Sequence, residues 1–195
     1  MAQQDATDCL SGNVQMDDAF LSRDCAVGTA GRGSEKNRPF VAAVLTNAKD
    51  HQMYLKLHLL SGLTSEGIGK WAMANLTSGT KVISDGLACY AAVVDVGCMH
   101  APRVLYCLEP RDLPEFKCVS TVPCNIKTTL ALAFYALNYG KYGRRYLAAF
   151  AYRFIRRFEM RDLVARLIVD VVRATPCNEN AVRAYAETAF KSGRF

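Results

Sequence analysis

The chain holds no apolar run approaching the ~20 residues that a membrane span requires. Its eight cysteines form no Cys-x-x-Cys pair, and its three histidines are scattered, which argues against a structural zinc site. The start, M-A-Q-Q-D-A-T-D, is polar and acidic, unlike a signal or transit peptide. A cytoplasmic protein is therefore expected, its cysteines reduced and most of them buried as small hydrophobes. The glycine-rich G-T-A-G-R-G at 28–33 lacks the Lys-Ser/Thr of a phosphate-binding P-loop and opens no helical pattern, so that reading is excluded.

What is present is a chain of 195 residues, 51% hydrophobic, enough for one domain with a real core. Its net charge of +6 is unevenly spread. Residues 1–24 hold five aspartates against Arg23, a net of −4, which leaves +10 on the remainder. Basic density peaks with Lys141, Arg144, Arg145, Arg153, Arg156, Arg157, Arg161 and Arg166, against Glu159 and Asp162. Such a run is either a solvated helix face or a surface for a polyanion.

The stretch T-K-V-I-S-D-G-L-A-C-Y, Thr80 to Tyr90, is the focus of the pattern. Val82 and Ile83 follow the turn pair Ser78-Gly79 and read as a short buried strand. Asp85 falls at its carboxyl end, and Gly86 permits a sharp exit into Leu87, Tyr90, Ala91 and Val94 at helical spacing, with Gly97 as the stop. Asp85 either caps that helix or holds a metal or a proton.

Upstream, Gly12–Phe20 reads as a first strand in which Val14 and Met16 share one face and Asp17 takes the other. Asp18 then points away from Asp17, and a regular strand keeps the two out of one ligand sphere. Phe40–Thr46 is a buried strand. Met53–Leu60 alternates, with Met53, Leu55, Leu57 and Leu59 on one side and Tyr54, Lys56 and His58 on a polar face. Thr64 caps a helix with Glu66 in its first turn and Ile68, Trp71, Ala72 and Leu76 on its apolar side. Val104–Leu108 reads as a further strand, and from Ser120 the pattern is helical to the end, with an aromatic stripe of Tyr146, Phe150, Phe154 and Phe158 that suits a core.

Three antiparallel strands followed by α/β units on one sheet is a ribonuclease-H-like mixed sheet, with a helical C-terminal part. The expected division is a tail at 1–9, the core domain at 10–158 and a helical extension at 159–195. In that fold the first and fourth strands are neighbours, so Asp17 and Asp85 meet at the sheet centre. Two adjacent carboxylates repel unless a cation lies between them, and hard oxygen ligands select Mg2+ or Mn2+.

The runs L-S-G-N-V-Q-M-D-D-A-F, G-R-G-S-E-K-N-R-P-F-V-A-A-V, V-I-S-D-G-L-A-C-Y, L-P-E-F-K-C-V-S-T-V and R-Y-L-A-A-F-A-Y-R-F-I-R-R-F stand in an order that resembles the ISXO-like group of bacterial insertion-sequence transposases. The resemblance spans about Leu10 to Thr175. It implies a DDE-type catalytic core that cuts and joins DNA with divalent metal, as a homo-oligomer on transposon ends and target. It also implies Asp17 and Asp85 as the first two catalytic aspartates and metal ligands, with His100 matching a histidine that follows the second. Lys127 matches a lysine seven residues after the third catalytic position, which here is Ser120. Serine is a weak Mg2+ ligand without a carboxylate's charge, and Asn125, though offset within the helix, is the nearby substitute as a metal ligand. His100, Lys127, Arg144, Arg145, Arg153, Arg156 and Arg157 are the expected DNA contacts.

The chain departs from the family's pattern at Ser22-Arg23, Tyr135, Ala149 and Ile155, where a glycine pair, a histidine, an acid and an asparagine are usual. Family members usually carry an N-terminal zinc ribbon and DNA-recognition segment. Only nine residues precede Leu10, so the chain is expected to correspond to the catalytic half, as a truncated or decaying copy. An inactive remnant or DNA-binding module is the alternative, followed by an interaction protein with no nucleic-acid role.

Overall fold

The computed structural model describes residues 9–21, 38–49, 51–103, 117–133, 139–174, 176 and 178–180. Five strands form one sheet in the order β3-β2-β1-β4-β5. They are β1 (Asn13–Leu21), β2 (Arg38–Thr46), β3 (Gln52–Leu59), β4 (Lys81–Ser84) and β5 (Met99–Pro102). The first three pair antiparallel, while β4 runs parallel to both β1 and β5. This is the ribonuclease-H-like arrangement that the element order implied.

Helices cover both faces, so the central strands are apolar on both sides. In β2, Val41 and Ala43 face one core while Phe40, Ala42 and Val44 face the other. The first core packs Val14, Met16 and Val82 against Ile68, Trp71 and Ala72 of α1 (Ser65–Asn75) and against a 3-10 helix, Ala88–Val96. The second packs Ala19, Leu21, Leu55 and Leu57 against α2 (Lys117–Ala133) and α3 (Tyr139–Ile155) through Val119, Val122, Ile126, Leu147 and Ala151. Thr64 caps α1 as expected, its side chain accepting from the Gly67 amide at 3.1 Å.

Several local expectations change. The segment after Asp85 is a 3-10 helix, and its inward residues are Leu87, Tyr90, Val93 and Val96 at a three-residue period, while Ala91 and Val94 are exposed. Lys56 and His58 do not lie on a solvated face. Lys56 is 1% exposed and donates to Asn75 Oδ1 at 3.0 Å, because α1 covers that side of β3. His58 is half-buried and meets Arg144 of α3, with Nη2 to Nε2 at 3.2 Å. The fifth strand is Met99–Pro102, and the expected strand at 104–108 lies outside the described residues. Of the five described cysteines, Cys89 and Cys98 are buried, Cys118 is half-buried, and Cys9 and Cys124 are exposed.

The aromatic stripe packs against the second core through Tyr146, Phe150 and Phe154, whereas Phe158 lies past the helix end and is exposed. A fourth helix, α4 (Leu163–Arg173), is tied to α3 by the Tyr152 hydroxyl, which donates to Asp170 Oδ2 at 2.7 Å. It exposes Val164, Ile168, Val171 and Val172 along one side. Among the described residues no helix is long and apolar enough to cross a membrane.

Candidate metal centre

The parallel ladder between β1 and β4 pairs Asn13 with Lys81, Val14 with Val82 and Gln15 with Ile83. Two residues further along each strand, that register sets Asp17 beside Asp85. Asp85 follows the last residue of β4, and its Oδ1 accepts from the Leu87 amide at 3.1 Å. Gly86 between them has φ +84°, which an L side chain rarely adopts. The aspartate therefore shapes the turn and presents a carboxylate at the strand end, but it does not cap the helix that follows, whose N-cap is Leu87 without a side-chain cap bond.

Asp17 is half-buried, and its Oδ1 accepts from the Asp18 amide at 2.9 Å. Asp18 is also half-buried. One carboxylate oxygen from each of Asp17, Asp18 and Asp85 can be chosen so that all three lie within 4.8 Å of one another. The alternation argument that set Asp18 apart from Asp17 is thus overturned. Regular alternation describes Cβ directions, and two rotatable bonds carry the carboxylates beyond them. The donor set is all oxygen and anionic, which fits a hard divalent cation and does not fit a soft one.

Tyr90 closes the site from the first core. It is fully buried, and its hydroxyl has no hydrogen-bond partner among the described residues. Burial raises its pKa, and the charges of Asp18, Asp17 and Asp85 raise it further, Asp18 most among them. The phenol is therefore neutral beside the carboxylates. His100 is on the same face, since it pairs with Val82, and its Nε2 lies 2.8 Å from Ser84 Oγ. Burial lowers its pKa, so the neutral ring steadies the strand end rather than adding charge to it.

Other expected site residues are spread more widely. The Val119 amide donates to Gln15 Oε1 at 3.3 Å, which fixes the first turn of α2 to β1 two residues before Asp17. Ser120, next along, is half-buried, whereas Asn125 and Lys127 are exposed further along α2. Arg144 sits over β3, three places across the sheet from β4. Arg145 and Arg153 are exposed on α3. Arg157 donates to Phe154 O at 2.8 Å and to Gln52 O and Oε1 at 3.3 and 3.2 Å, stacking on Phe154. Arg156 lies over the Tyr152 ring, 3.8 Å from its centroid. The described contacts of Arg144 and Arg157 thus run to β3, away from the carboxylates. Sequence reasoning missed Asp18 and Tyr90 as site residues; the signal for Asp18 was its adjacency to Asp17, and Tyr90 offered none beyond its apolar spacing.

In comparison with known proteins, a family model described as an ISXO2-like transposase domain matches residues 9–154. No curated protein matches the chain.

Proposed function

Since this chain belongs to the ISXO2-like transposase domain family, we propose that it is a DDE-type catalytic domain that cleaves and joins DNA strands with Mg2+ or Mn2+. The observation that carries the reading is the convergence of Asp17 and Asp85 at the end of the β1–β4 ladder. A divalent ion held there supplies Lewis-acid activation of an attacking oxygen and stabilisation of a leaving one. The chain's own part is to hold and orient. Asp85 is fixed by its bond to the Leu87 amide, and Asp17 by its bond to the Asp18 amide. The half-buried setting limits water around the carboxylates. The reaction proposed is in-line displacement at phosphorus, by water for cleavage and by a DNA 3′-hydroxyl for joining.

Lys127, Arg145 and Arg153 are exposed cations suited to phosphates, a role that is independent of sequence and sensitive to salt. Arg144, Arg156 and Arg157 would have to exchange contacts with His58, Tyr152 and Gln52 to reach DNA. Assembly as a homo-oligomer on DNA ends is part of the proposal, and the exposed apolar side of α4 supports it.

Titration with Mn2+ followed by thermal unfolding tests the metal reading. At 100 times its dissociation constant a bound ion adds about 2.7 kcal/mol. The native chain should gain that stability, and Asp85→Asn should not. Ser120 at the third catalytic position favours a second reading, a non-catalytic remnant with the same fold, and a native chain indifferent to Mn2+ would establish it.

A further inference from the structure

We infer that Asp18 is the third carboxylate of the metal centre and supplies the charge that Ser120 lacks. The inference rests on the metal-dependent reading above and names a further ligand for it.

The local geometry explains how neighbours on one strand converge. Asp17 folds back onto the Asp18 amide, so its carboxylate lies along the strand rather than straight out from the sheet. The β1–β4 ladder ends at Gln15–Ile83, and β4 turns away through Gly86. Beside residues 17 and 18 the plane of the sheet is therefore open on the β4 side, though β2 still pairs on the other. Carboxylates from opposite faces of β1 meet in that opening, with Asp85 as the third member.

Tyr90 is the independent observation. Its side chain is fully buried, and its hydroxyl has no partner among the described residues. A buried donor left unmade is costly, so such a group normally marks a missing ligand or water. Tyr90 packs with Val14 and Met16 in the first core, on the face of β1 to which Asp18 belongs by alternation, and of the three carboxylates Asp18 acts on it most strongly. A water bound to a cation would donate to this hydroxyl, and a carboxylate re-aimed by the cation would accept from it. The site thus fits a small, hard divalent ion that retains part of its hydration, as Mg2+ and Mn2+ do.

The test is Mn2+ binding by calorimetry on the native chain, Asp18→Asn, Asp85→Asn and Tyr90→Phe, with apo melting and circular dichroism for each. Asp18→Asn and Asp85→Asn should both weaken Mn2+ by well over the ~10-fold that an outer-shell partner is worth, and Tyr90→Phe by about that much. Tyr90→Phe should leave the apo melting temperature unchanged or raised, which separates a ligand-positioning role from packing. If Asp18→Asn is folded and binds Mn2+ like the native chain while Asp85→Asn does not, this inference falls and the metal reading stands. If Asp18→Asn fails to fold, native-like Mn2+ affinity in Tyr90→Phe overturns the inference. If the native chain binds no Mn2+, both fall.

Discussion

His58 makes the fold's stability depend on pH in a way that can be worked out from its neighbours. The ring is half-buried between β3 and α3, and its Nε2 lies 3.2 Å from the Arg144 guanidinium, which can only donate. Protonation removes that acceptor and places a cation beside Arg144 and near Lys56. Burial, Arg144 and Lys56 together lower the His58 pKa from 6.5 to about 4. The unfolded chain therefore binds this proton before the folded one does. The contribution is whole above pH 6.5 and is lost as pH falls from there through about 4. Linkage across that window costs about 2 kcal/mol by pH 5 and about 3 kcal/mol once both states are protonated.

The assay is urea unfolding at pH 7.5 and pH 5 for the native chain and for His58→Gln, whose amide can accept from Arg144 but does not titrate. The native chain should lose about 2 kcal/mol more than the variant over that interval, or about 4–8 °C of melting temperature for a domain of this size. Equal losses in the two proteins, or a His58 resonance titrating near 6.5, would refute the reasoning.

Gly97 ends the 3-10 helix at φ +81°, and a Cβ there would meet Ser78 Oγ at 2.7 Å. Gly97→Ala should therefore cost about 1–3 kcal/mol in denaturant unfolding, as strained non-glycine residues do. Asn75 accepts from the buried Lys56 ammonium, and Asn75→Leu should destabilise by about 1.5–3 kcal/mol, the worth of a hydrogen bond to a charged group. Replacing Lys56 by Met in the same background should restore part of that loss, as a double-mutant cycle would show.

Strand alternation and turn residues made much of the sheet legible. Val14, Met16, Val82 and the Ser78-Gly79 turn located β1 and β4, and their adjacency followed once the element order was set, whereas their register is fixed by the ladder Asn13–Gln15 to Lys81–Ile83. The alternation in β3 was equally clear but was assigned a wet side that does not exist. A period of two says which residues share a face, and only the later helix α1 shows that both faces are covered. β5 escaped notice because Met99–Pro102 has no β-branched residue and ends in proline, and its pairing is made entirely by β4. At the site, Asp17 and Asp85 could be paired from topology alone. Asp18 could not, because its approach depends on a side-chain bond from Asp17 to a backbone amide and on where the ladder stops.

The end of the β1–β4 ladder has an evolutionary consequence. The backbone pairing that sets Asp17 beside Asp85 is made by Asn13–Gln15 and Lys81–Ile83, and no side chain of the site is part of that ladder. Architecture and chemistry are therefore separately mutable. One base change at the Asp17 or Asp85 codon alters the carboxylate cluster and leaves that backbone ladder in place. On the proposed metal-dependent reading, a lineage built this way could shed its chemistry in a single step and persist as a folded protein, open to recruitment for another task.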